Sequence, residues 1–197
     1  MANLREYGRP GAGISAVARK GTHQYRTGVQ AELAVAELIR NTLKGSGAIV
    51  VHDAPTPTPP GTKRYKANAD HVIVTAGPFN RPQGLIVETK GWASGYYLAK
   101  WGGWRWTARD KGKFAPADTK TIRLLLDRYR TVLPGIQWSA VMVTTRKCHV
   151  LGATGYRQQS MSRFAGTLRK LRKSDVPDRV QSDILAACKH PAPLTRR

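Results

Sequence analysis

Acidic side chains are scarce in this chain: twelve Asp and Glu face thirty-three Lys and Arg, which leaves a formal charge of +21 over 197 residues. A field of that sign favours a polyanionic partner. Nucleic acid fits best, because phosphates taken up by Lys and Arg release condensed counterions, and the affinity gained is large and salt-sensitive. An anionic membrane or a ribosome-like assembly would also meet the charge, but no clearly amphipathic membrane helix stands out. Cysteine is nearly absent too. Cys148 and Cys188 lie far apart and form no CxxC pair, which argues against a zinc ribbon or a disulfide framework and makes a reducing cytoplasm the expected location. No apolar run approaches the length needed to span a bilayer, the opening MANLREYGRPGAG has no signal-peptide-like stretch, and no internal repeat is visible. The expectation is a soluble protein that acts on nucleic acid, with no membrane partner.

What is present is the composition of a folded protein. Hydrophobic residues make up 41% and charged residues 23%, the balance of a globular chain, and the length suits one domain with tails. Residues 1–24 are rich in Gly, Arg and Lys without apolar periodicity, which predicts a flexible basic arm. Thr27-Gly28-Val29-Gln30 has the spacing of a capping box, and AELAVAELIRNTLK after it predicts a first helix over 28–44, ended by Gly45-Ser46-Gly47. Val35, Ala36, Ile39 and Leu43 share one stripe of that helix, and Glu32 lies a turn back along it, so a carboxylate is aimed inward.

Residues 48–51 read as a short strand, and the following PTPTPPGTKRYKAN is too rich in proline and polar residues to be regular. Residues 70–75 and 84–90 are β-rich and flank the turn-forming GPFNRPQ, which predicts adjacent antiparallel strands. Residues 96–98 and 104–107, around Trp101-Gly102-Gly103, predict a hairpin that extends the same sheet. From Asp118 the spacing of Ile122, Leu125, Leu126, Tyr129, Val132 and Leu133 predicts a helix stopped by Pro134-Gly135. Strands over 138–144 and 148–151 follow, then a helix with Met161, Phe164, Leu168 and Leu171 on its apolar stripe. The sum is an α/β domain with a mixed β-sheet and flanking helices. It spans 25–152, with basic C-terminal helices over 153–190 packed on it and a tail over 191–197.

Glu88-Thr89-Lys90 ends an apolar strand, and Asp70 starts the one before it. Residues two apart on a strand point to the same face, so Glu88 and Lys90 emerge side by side. An apolar strand excludes such charges unless they are paired or have a task. The bland alternative is a plain salt bridge at a strand end, beside an Asp that merely begins a strand. The functional alternative is a metal site: Asp70 and Glu88 supply the hard oxygens Mg²⁺ prefers, and the Thr89 carbonyl adds one more. A bound Mg²⁺, or Mn²⁺ in its place, activates water and shields developing charge on a phosphodiester. Lys90 would orient or help deprotonate that water.

These residues resemble a known family, the nuclease-related domain (NERD) group of the PD-(D/E)XK nuclease superfamily. The resemblance rests on Gly28-Val29-Gln30-Ala31-Glu32, on Ala69-Asp70-His71-Val72-Ile73-Val74, and on Gly84-Leu85-Ile86-Val87-Glu88-Thr89-Lys90-Gly91-Trp92. It runs from about Tyr25 to Leu151. It implies a restriction-endonuclease-like αβββαβ core, with Glu32, Asp70, Glu88 and Lys90 at the active-site positions. The later helix departs from the family pattern: where members carry a proline followed closely by a glutamine, this chain has Pro116-Ala117-Asp118-Thr119-Lys120. The glutamine is missing, and Thr119 or Lys120 stands in its place.

His71 beside Asp70, with Cys148-His149 later, invites an HNH-type reading, but the second histidine and the intervening asparagine that motif needs are missing. A histidine in an apolar strand is more often a packed side chain. Tyr96, Tyr97, Trp101, Trp104 and Trp106 are interleaved with Lys100, Arg105, Arg109, Lys111 and Lys113, as in surfaces that stack bases and hold phosphates. Trp104 and Trp106 share one face and equally suit a core. With Lys120 and the helix residues Arg169, Lys170, Arg172 and Lys173, these cations form the expected nucleic-acid surface. The expected function is a metal-dependent nuclease acting on DNA. The alternative is a protein that keeps the nuclease fold and binds nucleic acid without cutting it.

Overall fold

Runs such as Ile49-Val50-Val51 and Leu85-Ile86-Val87 have no polar face to give to water, so a sheet built from them needs cover on both sides. The computed structural model provides that cover; it describes residues 3–13, 23–65, 67–91, 95–98, 104–106, 114–116, 120–146, 148–151, 156–171 and 175–188. Strand β1 (Arg5–Tyr7) precedes helix α1 (His23–Leu43), and β2 (Ile49–Pro55), β3 (Asn68–Thr75) and β4 (Gln83–Lys90) follow. Next come β5 (Gly95–Leu98), β6 (Trp104–Trp106), β7 (Phe114–Pro116), α2 (Lys120–Val132) and β8 (Gln137–Thr144). The chain continues through β9 (Cys148–Leu151), β10 (Arg157–Ser160), α3 (Met161–Arg169) and α4 (Asp178–Ala187).

The main sheet has six strands in the order β1-β2-β3-β4-β8-β10. Its β2–β3 and β3–β4 pairs are antiparallel, while β4 and β8 run parallel and need the long connection that contains α2. On one face Val35, Ile39 and Leu43 of α1 and Phe164 and Leu168 of α3 pack on Val50, Ile73, Val87 and Val141. On the other, Ile122, Leu125 and Tyr129 of α2 and Ile184 of α4 pack on Ile49, Val72, Ile86 and Met142. Each such side chain removed from water contributes about 1.5–3 kcal/mol. The α/β class with a mixed sheet and flanking helices is therefore as expected.

Three expectations are corrected. The segment read as a basic arm supplies β1, paired in parallel with β2 from Arg5↔Ile49 to Tyr7↔Val51. Short and charged, it lacks the periodicity that marks a strand, and it takes its place because the edge of β2 offers backbone partners. Helix α1 begins at His23, so Thr27 lies inside it and does not cap it; nothing in His23-Gln24-Tyr25-Arg26 breaks a helix. The hairpin β5–β6 does not extend the main sheet. It forms a second sheet in the order β7-β6-β5-β9, with the expected strand 148–151 as β9 along its edge. Period-two patterning marks a strand but leaves its neighbour undetermined.

Candidate active site

The centre of the candidate site lies where β3 and β4 part. Their ladder runs from Thr75↔Gln83 to His71↔Val87 and stops there, so Thr89 has no backbone partner on β3. The carboxylate of Asp70 takes over that role, with Oδ2 accepting the Thr89 N–H at 2.5 Å. In a strand a residue's N–H and C=O point to the same side, which turns the Thr89 carbonyl towards Asp70 as well.

A slip in strand phase accompanies the split. In β2, Val51 and Ala54 share one face, as do Ala69 and Val72 in β3. Residues three apart cannot do so in a regular strand. The irregularity falls at Asp53, which has a φ of +48°, and at Asp70, its opposite number between His52↔His71 and Ala54↔Ala69. Such local breaks re-aim side chains next to functional sites.

Glu88 and Lys90 emerge together at the end of β4, as their spacing predicts, and Lys90 Nζ donates to Glu88 Oε1 at 2.6 Å. The other carboxylate oxygen, Glu88 Oε2, is buried with no hydrogen-bond partner among the described residues. Helix α1 brings Glu32, which is only 5% exposed. The close approach of α1 to the end of β4 depends on Gly91, where a Cβ would meet Thr27 O at 2.9 Å. Glu32 Oε2 accepts the N–H of Gly11 at 2.7 Å.

Four acids therefore gather here, Glu32, Asp53, Asp70 and Glu88, a third of the twelve in the chain. For Asp70, Glu32 and Asp53 burial has the expected electrostatic result. Burial, with Glu88 and Glu32 adding repulsion, pushes Asp70 well above the ordinary carboxylate range against the pull of Lys90 and the Thr89 N–H. Burial, helped by Asp53 and Glu88, raises Glu32 to about 7 although Gly11 and Lys90 favour its charged form. Asp53 is raised by burial too, against a 2.8 Å hydrogen bond from Asn68. A set of carboxylates held close at the cost of their own ionisation is a common mark of a working site.

Among the described residues no three His, Cys, Asp or Glu side chains are grouped so as to hold a metal ion unaided. The donors that fit a hard divalent cation are two carboxylates and a carbonyl: Asp70, Glu88 through its unpartnered Oε2, and Thr89. His71 is not among them. Its Nδ1 lies 2.8 Å from Nδ1 of His52, and burial keeps its pKa well below the ordinary histidine value. His71 is the packed side chain that its apolar strand suggested.

The structure thus brings together all four predicted residues, Glu32, Asp70, Glu88 and Lys90, and adds three the sequence did not single out. Gly11 and Gly13 belong to the supposed arm; a Cβ on Gly13 would collide with the Asp53 carboxylate. Asp53 itself was findable only by pairing β2 with β3, which sets it opposite Asp70. Of the expected nucleic-acid surface, Arg169 ends α3 and Lys170 follows it, both exposed. The side chains of Arg105 and Lys120, and Lys100, Trp101, Arg109, Lys111, Lys113, Arg172 and Lys173 altogether, lie outside the described residues.

Residues 27–133 match the family model of the nuclease-related domain, NERD. No curated protein and no solved structure matches the chain. No helix among the described residues is long and apolar enough to cross a membrane.

Proposed function

The chain belongs to the nuclease-related domain family, and from that premise we propose that it is a metal-dependent nuclease hydrolysing phosphodiester bonds of DNA. The observation that carries this reading is the meeting of Asp70, Glu88, Lys90 and Glu32 at the split between β3 and β4, in a chain whose charge is otherwise +21. An acidic cluster in a basic protein suits a cation that must in turn face phosphate.

Asp70, Glu88 and the Thr89 carbonyl would hold Mg²⁺ or Mn²⁺. Bound there, the ion would supply Lewis-acid activation of water and neutralise charge on the phosphate. Lys90, paired with Glu88, orients the attacking water and balances the charge that builds on phosphate oxygens. Glu32, its pKa raised by burial to about 7, accepts or returns a proton. Arg169 and Lys170 take up backbone phosphates, so binding is strong at low salt and carries little sequence preference.

The test is incubation of the purified protein with linear and circular, single- and double-stranded DNA and with RNA, in Mg²⁺, in Mn²⁺ and in chelator. Asp70→Asn and Glu88→Ala run alongside. Metal-dependent cleavage of DNA that both variants lose is the expected result. Intact nucleic acid in every reaction, with salt-sensitive binding, would mean a fold kept for binding alone, the reading that the missing glutamine at 116–120 favours. Cleavage that survives in both variants would place the chemistry elsewhere.

A further inference from the structure

The other end of the sheet holds a cleft the nuclease reading does not use. Strand β10 covers β8 only from Val141 to Thr144, so among the described strands the outer edge of residues 137–140 is bare. Around it lies a cleft of about 730 Å³, within the range of small-molecule sites. Gln83, Gly84 and Leu85 at the start of β4 line it, while Glu88 and Lys90 stand at that strand's far end.

Its chemistry is selective. Among the described residues the lining holds two cations, Arg130 and Arg157, and no acidic side chain. Arg130 is set in place by a 3.3 Å hydrogen bond from its guanidinium to the Trp138 carbonyl on the bare edge. Gln159 is occupied with Thr167, and Ser139 with the Gly84 carbonyl. Gln158 is different: both its amide nitrogen and its amide oxygen are buried with no partner among the described residues. Buried polar atoms left unsatisfied are costly, so an amide whose nitrogen and oxygen both lack partners points to a ligand that satisfies them.

A carboxamide offers one donor and one acceptor side by side, the complement of a nucleobase edge. Guanidinium groups match phosphate in the same way. We infer that this cleft binds a nucleoside monophosphate, with Gln158 on the base edge, Arg130 and Arg157 on the phosphate, and the Tyr156 ring beside the base. A free mononucleotide and the terminal nucleotide of a strand share this chemistry. The site is separate from the acidic cluster and stands whether or not that cluster cuts.

Calorimetric titration of the full chain, in chelator so that no cleavage intervenes, tests it with AMP, GMP, CMP, dTMP, adenosine and inorganic phosphate. The expected result is saturable binding of at least one mononucleotide, tighter than either phosphate or adenosine. Gln158→Leu, which keeps the shape and removes the amide, lowers that affinity at least about tenfold. Arg130→Ala, at an exposed position, weakens it as well, with thermal melts showing that both variants fold. Competition by a 5′-phosphorylated oligonucleotide identifies a strand end as a ligand, and its failure restricts the site to free nucleotides. Absence of saturable binding by every mononucleotide, phosphate binding as tightly as they do, or affinities unchanged in both variants would each overturn the inference.

Discussion

The backbone N–H of Gly11 donates to Oε2 of Glu32 over 2.7 Å, tying the segment ahead of α1 to a carboxylate buried on it. Gly11 has a φ of +80°, and a Cβ there would press on Val29 Cγ1 at 3.2 Å. Gly11→Ala is expected to lower stability by about 1–3 kcal/mol, through backbone strain and crowding. Glu32→Ala leaves the Gly11 amide without its acceptor, and hydrogen exchange reads this directly. Faster exchange at Gly11 is the expected outcome; unchanged protection there would show that the contact holds nothing in place.

Lys90 and Glu88 form a pair that is neither fully buried nor exposed, with side chains 21% and 11% accessible. Removing the lysine alone strands a carboxylate whose second oxygen already lacks a partner among the described residues. Lys90→Met is expected to cost about 1–3 kcal/mol, between the values for surface and buried pairs. Adding Glu88→Leu should restore most of the loss. Urea denaturation of the two variants checks this, and a double variant less stable than the single one would contradict it.

Glu6 links β1 to two other elements: Oε2 accepts from Arg40 Nε on α1 at 2.9 Å, and Oε1 lies 3.4 Å from His52 Nε2 on β2. Burial pushes its pKa up, but His52 and Arg40 together outweigh burial and hold it below the usual 4.5. The unfolded chain then binds this proton more tightly than the folded one. The stability Glu6 contributes is present above pH 4.5 and lost as the pH falls through the lower folded value. Denaturation of Glu6→Gln against the native chain measures it. The gap between them should shrink as the pH falls below 4.5; a gap of constant size would falsify the assignment.

At the alkaline end the sign reverses. Burial pushes the Cys188 thiol from 9.0 up to about 11. Burial also raises the Tyr129 hydroxyl well above 10.0, and Cys188, 3.5 Å away, adds to that. The folded protein keeps protons that the unfolded chain releases, so this stability is intact below pH 9 and falls as the pH rises towards 11. Cys188→Ala is expected to make the decline shallower, by up to one proton in its slope. An identical slope would exclude the thiol as a source.

Gly84 faces Trp138 across the β4–β8 pair, and a Cβ on it would collide with the indole ring. Backbone and ring both sit in packed surroundings, so neither yields easily. Gly84→Ala is expected to destabilise by about 1–3 kcal/mol. Denaturation gives the magnitude, and loss of native stability without any change in the fluorescence of Trp138 would point to another cause.

Much of the candidate site was legible because its signals are local. Glu88 and Lys90 are two residues apart on one strand, and Glu32 lies a turn from Val35 and Ala36 on one helix, so strand and helix periods alone bring each to its place. Asp53 was not legible. Its role depends on the register of β2 against β3 and on a positive φ, and neither is written in the residues nearby. The same holds for Gly11 and Gly13, whose use follows from where the preceding strand docks.

By itself the sequence determined the class of the fold, because apolar runs of strand length alternating with amphipathic helices can bury themselves only as a sheet between helices. It also determined the overall charge and which carboxylates end an apolar strand. Tertiary structure alone decided that β1 joins the main sheet, that β5 and β6 leave it for a second one, and that β3 and β4 part at Asp70. Each of those choices is made by backbone hydrogen bonds between segments distant in the chain. A backbone amide carries no side-chain label, so any exposed strand edge can satisfy it, and only the packed whole selects which edge does.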